Sequence, residues 1–158
     1  MGCSIDTNVV EKSINELQLV GRFQELFARN RKIILDVAHN AQSASALAQN
    51  LSDLVKVGKI YGIVMLRKSK DIKSFLYSLK GSIDVWIFPN LEESEFYSSL
   101  ALEKELRKIE KKTMSFCANS LVEGFDLALT TSNREDVIVA CGSFTVVEKF
   151  VKYLENTL

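Results

Sequence analysis

Ile33-Ile34-Leu35-Asp36-Val37-Ala38-His39-Asn40 opens as a short apolar, partly β-branched run and breaks at a carboxylate. A run apolar at every position suits a strand covered on both faces, as in a parallel sheet sandwiched by helices. The period then changes. From Gln42 to Val55 the apolar residues Leu47, Leu51, Leu54 and Val55 fall at i, i+4, i+7 and i+8, one face of a helix that Gly58 ends.

The same alternation runs on to the end of the chain. Ile60–Leu66 repeats the strand pattern, and Asp71–Lys80 repeats the helix with Ile72, Phe75, Leu76 and Leu79 on one face. Val85-Trp86-Ile87-Phe88 reads as a strand stopped by Pro89. Ser99–Lys111 is a helix with Leu102, Leu106 and Ile109 inward and a Glu103/Arg107 pair solvated outside. A weaker strand is expected at Thr113–Phe116, before a helix carrying Leu121, Val122, Phe125, Ala128 and Leu129. Val137–Cys141 is the last strand, and Phe144–Leu154 the last helix, with Val147, Phe150, Val151 and Leu154 aligned. Strands joined by helices of this length form right-handed βαβ crossovers, so the expected class is α/β: a Rossmann-like, mostly parallel sheet with helices on both faces. Residues 21–158 form that domain. Residues 1–20 break the rhythm: Val9, Val10, Ile14 and Leu17 suggest a helix without a packing partner, the remnant of a preceding domain or linker.

Composition excludes several function classes. Twenty Lys+Arg balance twenty Asp+Glu, so no basic field gathers nucleic acid or anionic lipid. No apolar run approaches the roughly 20 residues that span a bilayer. Cys3, Cys117 and Cys141 are odd in number and lack CxxC spacing, which points to reduced thiols in a cytoplasmic setting. One histidine argues against zinc and limits any nucleophile–base–acid triad. There is no GxxxxGK[ST], so if ATP is used another domain cradles its phosphates.

In open parallel sheets ligands collect at the carboxyl ends of strands. Asp36 and His39 follow the first strand, and Gly142-Ser143 follows the last. A glycine then a serine at a helix start can present N–H groups and a hydroxyl to a carboxylate or phosphate. Each residue also has a plainer reading: Ser143 as a helix cap, Asp36 capping a turn, His39 satisfied by a backbone carbonyl.

Gly21-Arg22-Phe23-Gln24, Asp36-Val37-Ala38-His39-Asn40 and Cys141-Gly142-Ser143-Phe144, in this order and spacing, resemble the carboxy-terminal domain of folylpolyglutamate synthase/dihydrofolate synthase, in the Mur ligase superfamily. The cell-wall Mur ligases share Asp-x-Ala-His but typically have Gly-Arg-x-Glu and lack Cys-Gly-Ser-Phe, so the folate branch fits better. The resemblance implies an ATP- and Mg2+-dependent ligase. A pteroate or folate carboxylate is phosphorylated, and the amine of L-glutamate attacks the acyl phosphate. It further implies that Arg22 contacts nucleotide phosphate, that Asp36 accepts hydrogen bonds from the nucleotide, and that His39 and Ser143 hold glutamate. The P-loop and the magnesium ligands belong to an amino-terminal partner domain, so the isolated chain is expected to be inactive. The alternative is a stand-alone module that binds nucleotide or glutamate without chemistry. Three departures stand out. Ala41 replaces the family's proline after His-Asn, the stretch 91–99 lacks a Pro-Arg-containing loop, and Met65–Asp71 is one residue longer than Met-Leu-x-Asp-Lys-Asp, so no role carries over to that loop.

Overall fold

A computed structural model describes residues 23–54 and 58–157. Gly21, Arg22, the segment 1–20, Cys3 and Val55 lie outside the described residues. Among the described residues, six strands and five helices follow in order: β1 (Gln24–Ala28), β2 (Arg31–Leu35), α1 (Ala41–Ser52), β3 (Ile60–Val64), α2 (Ile72–Ser78), β4 (Val85–Pro89), α3 (Ser99–Ile109), β5 (Met114–Ala118), α4 (Leu121–Thr131), β6 (Val137–Cys141) and α5 (Phe144–Asn156). They form one sheet of order β1-β2-β6-β3-β4-β5, parallel throughout except for the β1/β2 pair. The expected α/β class, mostly parallel and helix-covered on both faces, is what the chain adopts.

Alternation along the strands fills two cores. Ile33, Leu35, Ile63, Ile87 and Ile138 meet Phe125, Phe150 and Val151 of α4 and α5. Ile34, Val64, Trp86, Phe88 and Val139 meet Leu47, Phe75, Leu102 and Leu106 of α1, α2 and α3. Strands apolar at every position are therefore covered on both sides.

Several boundaries differ from the sequence expectation. The first helix ends at Ser52, where the Asp53 N–H closes onto the carbonyls of Gln49 and Leu51, rather than running to Val55. Pro89 is the last residue of β4 instead of its stop signal. Val122, expected on the buried face of α4, is 55% exposed.

Strand β1 was not expected. It turns back on β2 through Arg29 and Asn30, both at positive φ (49° and 60°), a two-residue hairpin turn whose left-handed backbone is usually signalled by glycine. Neither residue carries that signal.

The Glu103/Arg107 pair is also more than a solvated helix face. Arg107 donates to the Thr113 carbonyl at 2.6 Å and to Ser115 Oγ at 2.5 Å, while Glu103 accepts from Ser115 Oγ at 2.7 Å and from Cys117 Sγ at 3.4 Å, fastening α3 to the edge strand β5. The Ser115 hydroxyl, helped by Cys117 and Arg107, holds the Glu103 carboxyl below its ordinary value. A depressed folded-state value means the stabilisation is present above the unfolded-state pKa and fades as pH falls through the folded one. Glu103→Gln is therefore expected to cost about 1 kcal/mol at neutral pH and less at an acidic pH below the unfolded-state carboxylate value, the difference shrinking as pH falls further. Urea titrations at the two pH values check this, and an equal loss at both would refute it.

Candidate functional site

The strand order decides which loops meet. Crossovers β2→β3→β4→β5 all pass over one face through α1, α2 and α3, leaving a gap between β2 and β3; β5→β6 returns over the other face through α4, and β6 fills the gap. The direction of travel reverses there, the place where open α/β sheets form ligand crevices. The ends are stitched together: Asp36 N–H donates to the Ala140 carbonyl at 3.0 Å and Met65 N–H to the Cys141 carbonyl at 3.3 Å. Loops after β2, β6 and β3 thus share one rim.

Asp36 leaves β2 almost fully buried. One carboxylate oxygen accepts from Ala38 N–H at 2.7 Å and the other from Phe23 N–H at 2.9 Å. This is the turn-capping role that sequence alone allowed. Each carboxylate oxygen accepts more than one bond, so capping also orients the group for a ligand. Asp36 lines a cavity of about 270 Å³ with Val37, Ala38, Asn40 and Gln42 around the start of α1 and Asn50 in its last turn.

His39 stands at the junction of this cavity and a second recess. Its Nδ1 is 2.8 Å from the Val37 carbonyl, which can only accept, so Nδ1 carries the proton and Nε2 is left for a ligand. Asn40 caps α1 through a capping box with Ser43.

The second recess, about 300 Å³, is lined by His39, Arg67, Lys70, Gly142, Ser143, Phe144 and Thr145. Ser143 caps α5: its Oγ accepts from Val146 N–H at 3.2 Å. Capping uses an oxygen lone pair and leaves the O–H proton to donate, so cap and anion contact are compatible. Gly142 adopts φ +105°, and a β-carbon there would stand 2.1 Å from the Met65 carbonyl oxygen. Only glycine lets the β6 and β3 ends approach this closely.

The fold thus brings His39 and Ser143 to one recess and places Asp36 in the adjoining cavity, while Arg22 lies outside the described residues. Sequence reasoning missed Arg67 and Lys70. The signal was present as a basic cluster, Arg67-Lys68-Ser69-Lys70, directly after a strand, and the loop's extra length obscured it. Loop 91–99 braces these cations: Lys68 N–H donates to the Glu95 carbonyl, Tyr97 N–H to the Leu66 carbonyl, and the Tyr97 hydroxyl to the Lys70 carbonyl at 3.1 Å.

Cys141 lies under the rim but is no nucleophile, because complete burial, reinforced by the nearby Asp36 charge, pushes its thiol far above the ordinary cysteine range. Among the described residues no cluster of three His, Cys, Asp or Glu side chains could hold a metal, and no helix is long and apolar enough to cross a membrane.

Comparisons with known proteins agree with this fold. A family model described as Mur ligase, glutamate ligase domain matches residues 21–144. The dihydrofolate synthase/folylpolyglutamate synthase of Buchnera aphidicola subsp. Schizaphis graminum is 29% identical over 157 residues, covering 99% of this chain and 36% of the relative. Among solved structures, E. coli FolC in complex with DHPP and ADP superposes with a TM-score of 0.80 at 26% identity, over 99% of this chain and 36% of that one. A bifunctional folylpolyglutamate synthase/dihydrofolate synthase with Mn, AMPPNP and L-glutamate bound gives a TM-score of 0.72 at 29% identity, over 87% of this chain and 32% of that one. The chain therefore spans about a third of the length of the relatives it matches.

Proposed function

The chain belongs to the Mur ligase glutamate ligase domain family, and from that premise we propose that it is the carboxy-terminal domain of an ATP-dependent ligase that joins L-glutamate to dihydropteroate or folates. The observation that carries this reading is the meeting of His39 and Ser143, far apart in the chain, at a recess that also holds Arg67 and Lys70. Such a recess suits carboxylates. Cations supply charge, the α5 amino terminus supplies partial positive charge, and Ser143 supplies a directed donor.

Asp36, Asn40, Gln42 and Asn50 line a polar cavity next to it, able to accept from and donate to the hydroxyls and base of a nucleotide. ATP would supply the phosphoryl group that activates the acceptor's carboxylate. The role of this chain would be positional: to hold the incoming amine against an activated carboxyl and to keep glutamate's own carboxylates paired. No described residue here calls for general acid or base work. The magnesium ligands and the P-loop would lie on an amino-terminal partner domain, to which residues 1–20 would be the connection.

The reading frame upstream of this chain is expected to encode GxxxxGK[ST]. In the two-domain enzyme so defined, Ser143→Ala is expected to raise the KM for glutamate about tenfold and that for ATP by less than about twofold. Equal losses for both substrates would remove the glutamate assignment. An upstream stop codon would leave a stand-alone binding module.

A further inference from the structure

The recess holds more positive charge than one carboxylate needs. His39 and Ser143 sit on the β2 and β6 side, and Arg67 and Lys70 on the β3 side. An amino acid joined through its amine keeps both of its carboxylates, so a site for glutamate needs two anion contacts, whereas a site for a neutral amino acid needs one.

Arg67 is prepared for the second contact. Its guanidinium lies 5.2 Å from the Phe96 ring centroid, its backbone bridges Phe96, and its NH1 is 3.1 Å from Glu95 Oε2. Stacking on an aromatic face fixes the plane of the fork, and a fork so fixed matches a carboxylate with two parallel hydrogen bonds. Glu95 is itself a carboxylate and half exposed, so it offers Arg67 the kind of partner that a ligand would bring.

Resting on the glutamate reading above, we propose that Arg67 is the specificity residue that reads the second carboxylate of the incoming dicarboxylic amino acid, with Glu95 as its exchangeable counter-ion. The loop that departs from the family pattern in length would then carry the discrimination of glutamate from its neutral isosteres. Glu95 moderates affinity, because the ligand must displace it.

The test uses the isotopically labelled 158-residue chain, titrated with L-glutamate and with L-glutamine while the backbone amides of Gly142, Ser143 and Lys70 are followed by NMR. The parent is expected to prefer glutamate by about tenfold or more. Arg67→Gln should abolish that preference while leaving glutamine affinity within about twofold, and Arg67→Lys should restore part of it. Glu95→Gln should tighten glutamate several-fold, and weaker binding would overturn the counter-ion role. Ser143→Ala should weaken both ligands. A preference that survives Arg67→Gln would overturn this proposal and leave the glutamate site standing. If the parent's recess amides fail to respond to glutamate at all, the site reading falls and takes this proposal with it.

Discussion

Gly142→Ala is expected to destabilise the domain by about 2–4 kcal/mol, combining the strain of a left-handed backbone with a steric clash. Gly142 has φ +105°, and the added methyl would stand 2.1 Å from the Met65 carbonyl oxygen, which belongs to backbone and cannot swing aside. Relief requires the β6 end to move away from β3, lengthening the Met65 N–H to Cys141 carbonyl bond of 3.3 Å. That movement would carry Ser143 away from Arg67 and Lys70. Urea denaturation measures the loss, and a cost below about 0.5 kcal/mol would show that the close approach is relaxed at little expense. Gly81, also at positive φ (74°) but with nothing within 4 Å of a β-carbon, isolates the strain component alone.

Phe150→Ala is expected to cost about 3–5 kcal/mol. Phe150 is completely buried, with its ring 4.5 Å from Phe125 and 6.3 Å from Tyr153, so truncation leaves a void bounded by aromatic faces that α4 and α5 cannot easily close. Phe27→Ala is the control: the same deletion at a side chain 67% exposed on β1 should change stability by less than about 0.5 kcal/mol. Similar losses at the two positions would mean that the α4/α5 core contributes far less than its burial implies.

Legibility in the sequence followed the range of the interactions involved. Val137–Cys141 was read to the residue and Phe144–Leu154 nearly so, since an unbroken apolar run and a helical stripe of Val147, Phe150, Val151 and Leu154 are local signals. The edge strand β1 escaped. Gln24-Glu25-Leu26-Phe27-Ala28 buries little of its length, and its turn uses Arg29 and Asn30 where a glycine would have marked it. Glu103 and Arg107 looked like a helix-surface pair because their partners, Ser115 and Cys117, come from a strand that the helix spacing says nothing about.

By itself the sequence determined the α/β class and the helix-covered strands, and it put the candidates Asp36, His39 and Ser143 just after strand ends. Unbroken apolar runs and a period of 3.6 residues are written in the chain, and ligands gather where strands end. Only the tertiary structure decided that β6 enters between β2 and β3. That insertion depends on hydrogen bonds between strands distant in the chain, such as Ile34 beside Val139 and Gly62 beside Val139, and on which apolar faces can be buried together. It is this pairing that puts Arg67 and Lys70 beside Ser143. No local pattern encodes the juxtaposition, because it arises from the closure of the whole sheet.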